Sequence, residues 1–158
     1  MFSTSTQLAE FSNAVRISTI ERLQLIPEGK ENWRFSPGAM SSSDIAYHLI
    51  QTDEWLFKKI EIKNLEPILG DSGAVEIKTR NDYMKLIEEL INSGKKRAGL
   101  ILSLDDNAFQ EQIYDDRFGK EVSVWWIIVR GNLDHEIHHR GQLSSYLRAI
   151  DTQSLDTK

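Results

Sequence analysis

Residues 134–148 read DHEIHHRGQLSSYLR, and this stretch contains three of the four histidines of the 158-residue chain. Apolar residues recur around it at helical spacing, which predicts a helix from Val122 to Ile150. Positions four apart on an α-helix lie one turn above each other, so His135 and His139 share a face. Two imidazoles arranged in this way can bind one metal ion.

Three earlier segments have the same periodicity and predict helices over residues 5–26, 41–60 and 79–102. Ser41 and Thr79 each stand three residues before an aspartate. This spacing is a short-acid variant of the capping box, so both residues are predicted to cap the helix that follows.

The segments between the helices differ in character. Residues 29–40 predict a loop that is held in place by Trp33 and Phe35. Residues 64–78 have no sustained period, so we expect a long connection between the second and third helices. Residues 105–121 predict an irregular arm or a small hairpin.

Length and composition predict one globular domain spanning residues 1–158. The chain carries 24 acidic and 19 basic side chains, a net charge of −5, which disfavours nucleic acid as a partner. It has no cysteine, which excludes disulfides, thiolate metal ligands and a cysteine nucleophile. The first ten residues lack the features of a secretion signal, and no apolar run approaches the ~20 residues of a membrane span. We therefore expect a cytoplasmic protein without a membrane partner.

The remaining histidine, His48, lies on the apolar face of the second predicted helix with Trp55 and Leu56. A histidine pair four residues apart, joined by an imidazole from another helix, predicts a metal site of His48, His135 and His139 with a position open to water. The alternative is that these are ordinary core histidines with hydrogen-bonded rings. Neutral imidazoles suit Zn²⁺, Ni²⁺, Co²⁺, Cu²⁺ or Fe²⁺ rather than Mg²⁺ or Ca²⁺, which prefer oxygen. We expect zinc or nickel, with iron or cobalt as alternatives.

Several polar residues lie within reach of the predicted ligands and can orient their rings by hydrogen bonding to the second ring nitrogen. They are Thr52, Asn132, Glu136, Gln142 and Tyr146. His138 projects to the side of the pair and is interpreted as a residue at the rim of the site. Glu136 is a weak candidate for a proton acceptor, but its interpretation as a solvated helix residue is favoured.

Residues 135–139 also match the H-E-x-x-H pattern of zinc proteases, in which Glu136 would be the general base. The extended form of that pattern requires glycine and histidine where this chain has Gln142 and Ser145. No later glutamate is available as a third ligand. The sequence therefore disfavours a zinc protease.

The stretch 134–148, above all its HEIHHRGQL core, closely resembles the signature helix of the DinB-like family of small metal-binding four-helix bundles. The resemblance continues in Ile-Pro-Glu at 26–28 with Trp33, Met-Ser at 40–41, and His48 with Glu-Trp at 54–55. It implies an all-α four-helix bundle of up-down-down-up order, with a long connection between helices 2 and 3. It also implies one divalent ion held by His48, His135 and His139.

The same resemblance bears on activity, because the family includes thiol-dependent transferases and an isomerase. A metal-dependent hydrolase, or a transferase acting with a small thiol, is therefore the favoured hypothesis. The alternative is a non-catalytic metal-binding bundle that serves a stress response.

A second stripe lies opposite the histidines on the last predicted helix. It consists of Trp126, Val129, Leu133, Ile137, Arg140 and Leu147. A helix that is apolar on two sides is covered on two sides, which predicts a two-fold homodimer through this helix. Arg140 is then expected at the interface or in a buried pair. The alternative is that helix 1 or the 105–121 arm covers the stripe.

Overall fold

The computed structural model describes residues 2–63, 73 and 75–156, and the chain is mostly helical. The helices are α1 (Thr4–Leu25), α2 (Ser42–Ile62), α3 (Arg80–Leu102), α4 (Asp106–Gln110), α5 (Val124–Trp126) and α6 (Asp134–Asp156), with a π-helical segment (Ile127–Leu133) between the last two. Two strands, β1 (Gln112–Asp115) and β2 (Lys120–Ser123), form a small sheet. Most of the connection predicted at 64–78 lies outside the described residues. None of the described helices combines the length and apolar character needed to span a bilayer.

The predicted caps are confirmed and explain where two of the long helices begin. The backbone N–H of Asp44 donates to Ser41 Oγ at 3.0 Å, and the Ser41 N–H donates back to Asp44 Oδ2 at 2.9 Å. This reciprocal pair is a complete capping box. Thr79 Oγ1 accepts from the N–H of Asp82 at 3.1 Å and caps α3.

In the loop before α2, Trp33 packs on the core as predicted, whereas Phe35 is exposed, so its predicted anchoring role is wrong.

The arm at 105–121 contains a small hairpin, which confirms one of the two alternatives predicted for it, beside a chain that is otherwise helical. Strands β1 and β2 pair antiparallel, with Ile113 opposite Val122 and both side chains buried. Because Val122 and Ser123 belong to the strand, the last helix begins at Val124 and not at Val122. The Ser123 side chain accepts from the N–H of Trp126 and caps this helix.

The π-helical segment Ile127–Leu133 is a second departure from the predicted regular helix. A π-helical turn contains more residues than an α-helical turn, and such turns are frequent at functional sites. Here it joins the hairpin to α6, which carries His135 and His139.

The core has two apolar clusters, one on each side of a charged layer. The first cluster contains Leu23, Ile45, Leu49, Ile87, Leu90, Leu143 and Ile150, and the second contains Ala9, Leu56, Ala98, Ile101, Ile127 and Ile128. The charged layer consists of Arg16, Asp53, Arg97 and Glu136, one residue from each long helix. Along each of α1, α2 and α3, the charged residue lies between the residues that belong to one apolar cluster and the residues that belong to the other. Within the segment 127–156, Glu136 likewise lies between residues of the second cluster and residues of the first.

The charged layer is a closed network of ion pairs. Arg16 donates to Asp53 and to Glu136 at 2.8 Å each, and Arg97 donates to the same two carboxylates. Arg97 also donates to the Asn132 side chain at 3.0 Å, and Asn132 donates to Asp53 at 3.1 Å. Two positive and two negative groups therefore balance in the interior, as buried charges require.

Glu136 is 1% exposed, so its interpretation as a solvated helix residue is wrong. Burial by itself raises the pKa of this carboxyl, but the charges and hydrogen bonds of Arg97 and Arg16 outweigh it and lower the pKa to about 2. Gly94 makes room for the network, because a Cβ there would lie 2.9 Å from Arg16 Cγ.

We expect Glu136→Gln to lower the free energy of unfolding in urea by about 3–5 kcal/mol, because it leaves two buried arginines with one carboxylate. The matched control is Glu111→Gln, which breaks an ion pair with Lys63 in which both side chains are more than half exposed. That change should cost less than about 1 kcal/mol. Equal effects of the two substitutions would contradict the central role of the charged layer.

Candidate metal centre

The structure brings together the three histidines that the sequence predicts as metal ligands. His48 comes from α2, whereas His135 and His139 lie one turn apart on α6. The Nε2 atom of His135 lies 3.2 Å from Nε2 of His48 and 3.0 Å from Nε2 of His139. One ring nitrogen from each of the three lies within 4.8 Å of the others. The imidazoles thus converge on one point through the same ring atom.

The polar partner of His139 determines which of its nitrogens carries the proton. Nδ1 of His139 lies 2.7 Å from Gln142 Oε1, which can only accept. The proton of neutral His139 is therefore on Nδ1, and Nε2 presents a lone pair to the cluster.

Thr52 orients His135 in the same way over a longer contact. The Thr52 hydroxyl donates to the His48 carbonyl at 2.9 Å and so has only lone pairs left for His135 Nδ1, 3.5 Å away. His135 Nδ1 then carries the proton, and its Nε2 is also a bare acceptor. Two lone pairs consequently face each other across the 3.0 Å between His135 and His139.

The surroundings keep both of these imidazoles neutral. Burial, and then the neighbouring histidines, lower the pKa of His135 to about 3. Burial likewise lowers the pKa of His139, and the hydrogen bond to Gln142 opposes this only in part, leaving a pKa of about 4. A proton is therefore a poor bridge between the two lone pairs near neutral pH, whereas a metal cation would satisfy both.

The distances fit such a cation. Tetrahedral Zn²⁺ with ligand nitrogens at 2.0–2.1 Å places those nitrogens about 3.3 Å apart. The Nε2 separations of 3.2 and 3.0 Å are close to that value. Three neutral imidazoles form a donor set for a divalent transition metal and are unsuited to Mg²⁺ or Ca²⁺.

The five predicted polar neighbours divide into two groups. Thr52 and Gln142 contact the ring nitrogens, as predicted. Asn132 and Glu136 belong instead to the charged network, and Tyr146 donates to the Met40 carbonyl at 2.8 Å. These three residues hold helices and loops in place rather than imidazoles.

Two further predictions concern the residues beside the ligands. His138 is exposed, with its ring centre 5.2 Å from that of His139, and it lies at the rim as predicted. Glu136 is a poor proton acceptor, because its carboxylate is buried between two arginines and its pKa is about 2. The H-E-x-x-H pattern therefore lacks the free general base of a zinc protease.

The histidines adjoin a cavity of about 750 Å³. Its lining consists of Met40, His48, Thr52, Trp55, Arg117, Phe118, Arg130, Gly131, Asp134, His135, His138 and His139. The cavity combines aromatic walls, two arginines and the converging imidazoles. A small molecule bound in it would lie beside the metal position.

The sequence reasoning missed two groups of residues around this site. Arg16, Asp53 and Arg97 occupy buried helix positions, and the available signal was a charge at a position where the helical period calls for an apolar residue. Arg117 and Phe118 come from the hairpin turn, and their place in the cavity depends on the fold of the hairpin rather than on a local pattern.

Comparisons with known proteins agree with the fold. A model of the DinB family matches residues 1–154. Among solved structures, the chain is similar to the DinB-like protein YjoA of Bacillus subtilis, with a TM-score of 0.68 and 18% sequence identity over 92% of each chain. At that identity the likeness concerns the fold alone. No curated protein sequence matches the chain.

We expect the metal-free protein to lose stability as the pH falls below about 6.5. The folded state keeps His135 and His139 neutral, with pKa values of about 3 and about 4, whereas both take up a proton near pH 6.5 when unfolded. Unfolding at about pH 5 therefore binds roughly two protons, and the free energy of unfolding should fall by about 2–3 kcal/mol per pH unit.

Urea unfolding at a series of pH values measures this slope. His135→Gln should reduce it by about half, since one of the two protons is removed. His138→Gln is the matched control, because that side chain is exposed, and it should leave the slope unchanged. A slope insensitive to His135→Gln would show that the site does not hold this imidazole neutral.

Proposed function

The chain belongs to the DinB family, and from this membership we propose that it binds one divalent metal ion through His48, His135 and His139. The observation that carries the proposal is the convergence of the three imidazoles, in which His135 Nε2 lies 3.0 Å from Nε2 of His139 and 3.2 Å from Nε2 of His48. Zinc or nickel is the favoured ion, with iron or cobalt as alternatives.

We propose that the protein is a metal-dependent hydrolase or thiol-dependent transferase, acting in the cytoplasm on a small molecule. The cavity beside the histidines supports this, since it offers room for a substrate next to the ion. When bound, such an ion supplies Lewis acidity, which activates a water or holds a thiolate or substrate oxygen. One observation favours the alternative of a non-catalytic metal-binding protein. Glu136, the carboxylate predicted as a proton acceptor, is held in the charged layer.

The residues of the chain have separable tasks in this proposal. Gln142 and Thr52 orient the rings of His139 and His135 so that Nε2 faces the ion. The charged layer holds α6 against the other long helices through Glu136, next in sequence to His135. A rigid support of this kind keeps ligands from different helices in one geometry without the ion.

We further propose the up-down-down-up order of a four-helix bundle. The order of core positions along each helix supports it. Along α1 the chain passes from the second apolar cluster to the first, along α2 and α3 from the first to the second, and along residues 127–156 from the second to the first. The second and third long helices therefore run opposite to α1 and to residues 127–156, which is the up-down-down-up order.

Elemental analysis of protein purified without an affinity tag tests metal binding. We expect close to one equivalent of a transition metal in the wild type and its loss in His48→Ala and His139→Ala. His138→Ala is the matched control, because this neighbouring imidazole lies at the exposed rim, and it should retain the metal. Retention of metal in His48→Ala would refute the ligand assignment.

The same preparations separate an enzyme from a metal carrier. A water at the fourth position leaves it exchangeable, so added azide should change the visible spectrum of the cobalt-substituted protein. Turnover in a thiol-transfer or ester-hydrolysis assay should disappear on chelation and return with the metal. A spectrum that azide leaves unchanged would point to a closed, structural site.

We also propose a homodimer through the face that contains Trp126, which is 38% exposed. Leu133 is buried within the chain, and α1 packs on α6, so intramolecular contacts cover part of this stripe. Light scattering at micromolar concentration should give twice the mass of one chain. Trp126→Glu should give a monomer, whereas Phe35→Glu, a control at another exposed aromatic residue, should not. A monomeric wild type would exclude the dimer.

A further inference from the structure

Arg117 is held over the cavity by two contacts within the protein. Its guanidinium carbon lies 4.1 Å from the ring centre of Trp55, which also lines the cavity. Asp115 accepts from its Nη2 at 2.7 Å and from its Nε at 3.1 Å. Gly131 lets the stacked side chains of Arg117 and Trp55 pack against the π-helical segment, since a Cβ there would lie 2.7 Å from Arg117 Nη2. The guanidinium is therefore preorganised before any ligand binds.

Arg117 also has an unused donor group. Its Nη1 atom has no hydrogen-bond acceptor among the residues that the structure describes, although a guanidinium offers five N–H donors. The side chain is 40% exposed and forms part of the cavity wall. A ligand in the cavity can thus reach this donor edge without breaking the pair with Asp115.

The charges around Arg117 favour a negatively charged ligand. Lys59 is fully buried, and within the described part of the chain its Nζ has no hydrogen-bond partner. Burial raises the pKa of Asp115, but Arg117 and the nearby Lys59 outweigh it and keep the carboxylate ionised. One buried carboxylate therefore serves two cations. Asp134, another carboxylate in the cavity wall, is already paired with Arg130.

The rest of the cavity wall includes apolar and aromatic side chains, which suit the hydrocarbon part of a ligand. Met40, Trp55 and Phe118 line the cavity, and the Phe118 ring centre lies 5.4 Å from the Arg117 guanidinium carbon. A ligand that uses the whole site would then combine one anionic group with an apolar or aromatic body.

We propose that this cavity binds a small carboxylic acid, with its carboxylate on Arg117 and its hydrocarbon part against Trp55 and Phe118. The inference rests on the proposed function in one respect, since it makes this acid the molecule placed beside the metal ion. A carboxylate matches the planar edge of a single guanidinium. A guanidinium also pairs with phosphate, but a phosphate site built on a glycine-rich loop at a helix N-terminus adds several backbone N–H donors, and the residues lining this cavity form no such loop.

Three probes with one common benzyl group test the class of ligand: phenylacetate, its neutral analogue phenylacetamide, and benzylphosphonate. Calorimetric titration into metal-free and zinc-loaded protein should show phenylacetate binding about tenfold more tightly than phenylacetamide in both forms. Benzylphosphonate should bind no better than phenylacetate. No measurable binding of phenylacetate, equal binding of acid and amide, or a preference for the phosphonate would each overturn the proposal.

Arg117→Lys tests the assigned residue and keeps a positive charge beside Asp115. It should weaken phenylacetate binding about tenfold and leave the affinity for phenylacetamide unchanged. Arg80→Lys is the matched control, because Arg80 also pairs with a carboxylate, on Glu31, and stacks on a ring, that of Tyr83, but lies outside the cavity. This control should bind phenylacetate like the wild type, and thermal melting checks that both variants are folded.

The metal-free titration distinguishes this proposal from that of metal binding. If elemental analysis finds no metal but Arg117→Lys still weakens the binding of phenylacetate, the metal proposal fails and the acid site stands. If metal is present but phenylacetate binds only to the zinc-loaded protein and equally well to Arg117→Lys, the carboxylate contacts the metal rather than Arg117. That result overturns the inference and leaves the metal site intact.

Discussion

Charge balance in the interior constrains how the long helices pack. Two arginines and two carboxylates, each from a different long helix, must meet within hydrogen-bonding distance because none of them can be left unpaired away from water. Apolar side chains on either side tolerate small shifts of one helix along another, whereas this network has one satisfactory register. The charged layer therefore sets the axial position of α6 relative to α1, α2 and α3.

The convergence of the three histidines depends on that register. Glu136 is held in the network, and the preceding and third-following residues of α6 are the histidines that face His48. A slip of α6 by one turn would move both imidazoles about 5.4 Å away from His48. The same helix thus carries a structural carboxylate on one side and the converging histidines on the adjacent side, which explains why Glu136, next to His135, is paired with arginines and is not a free base.

Much of this arrangement can be predicted from the sequence, and the features that the sequence did not predict share one physical cause. Helix positions, the Ser41 and Thr79 caps and the pairing of His135 with His139 come from periodicity and local spacing, which are short-range properties. The buried ion pairs do not, since Arg16 and Arg97 look like surface residues until partners far away in sequence are known. The sequence leaves the hairpin as one of two alternatives for the same reason, because cross-strand pairing and the burial of Ile113 and Val122 decide it.

The wide turn at 127–133 sets the angular phase between the hairpin and α6. If the same residues were wound as an ordinary α-helix, everything upstream would rotate by about 100° about the helix axis relative to His135, because the π-helical turn holds about one residue more than an α-helical turn. The hairpin turn would then swing away from the imidazoles and carry Arg117 with it. The wide turn therefore holds the cavity wall together through its backbone alone, because a regular helix of the same residues would dismantle that wall while leaving every one of its residues in the sequence.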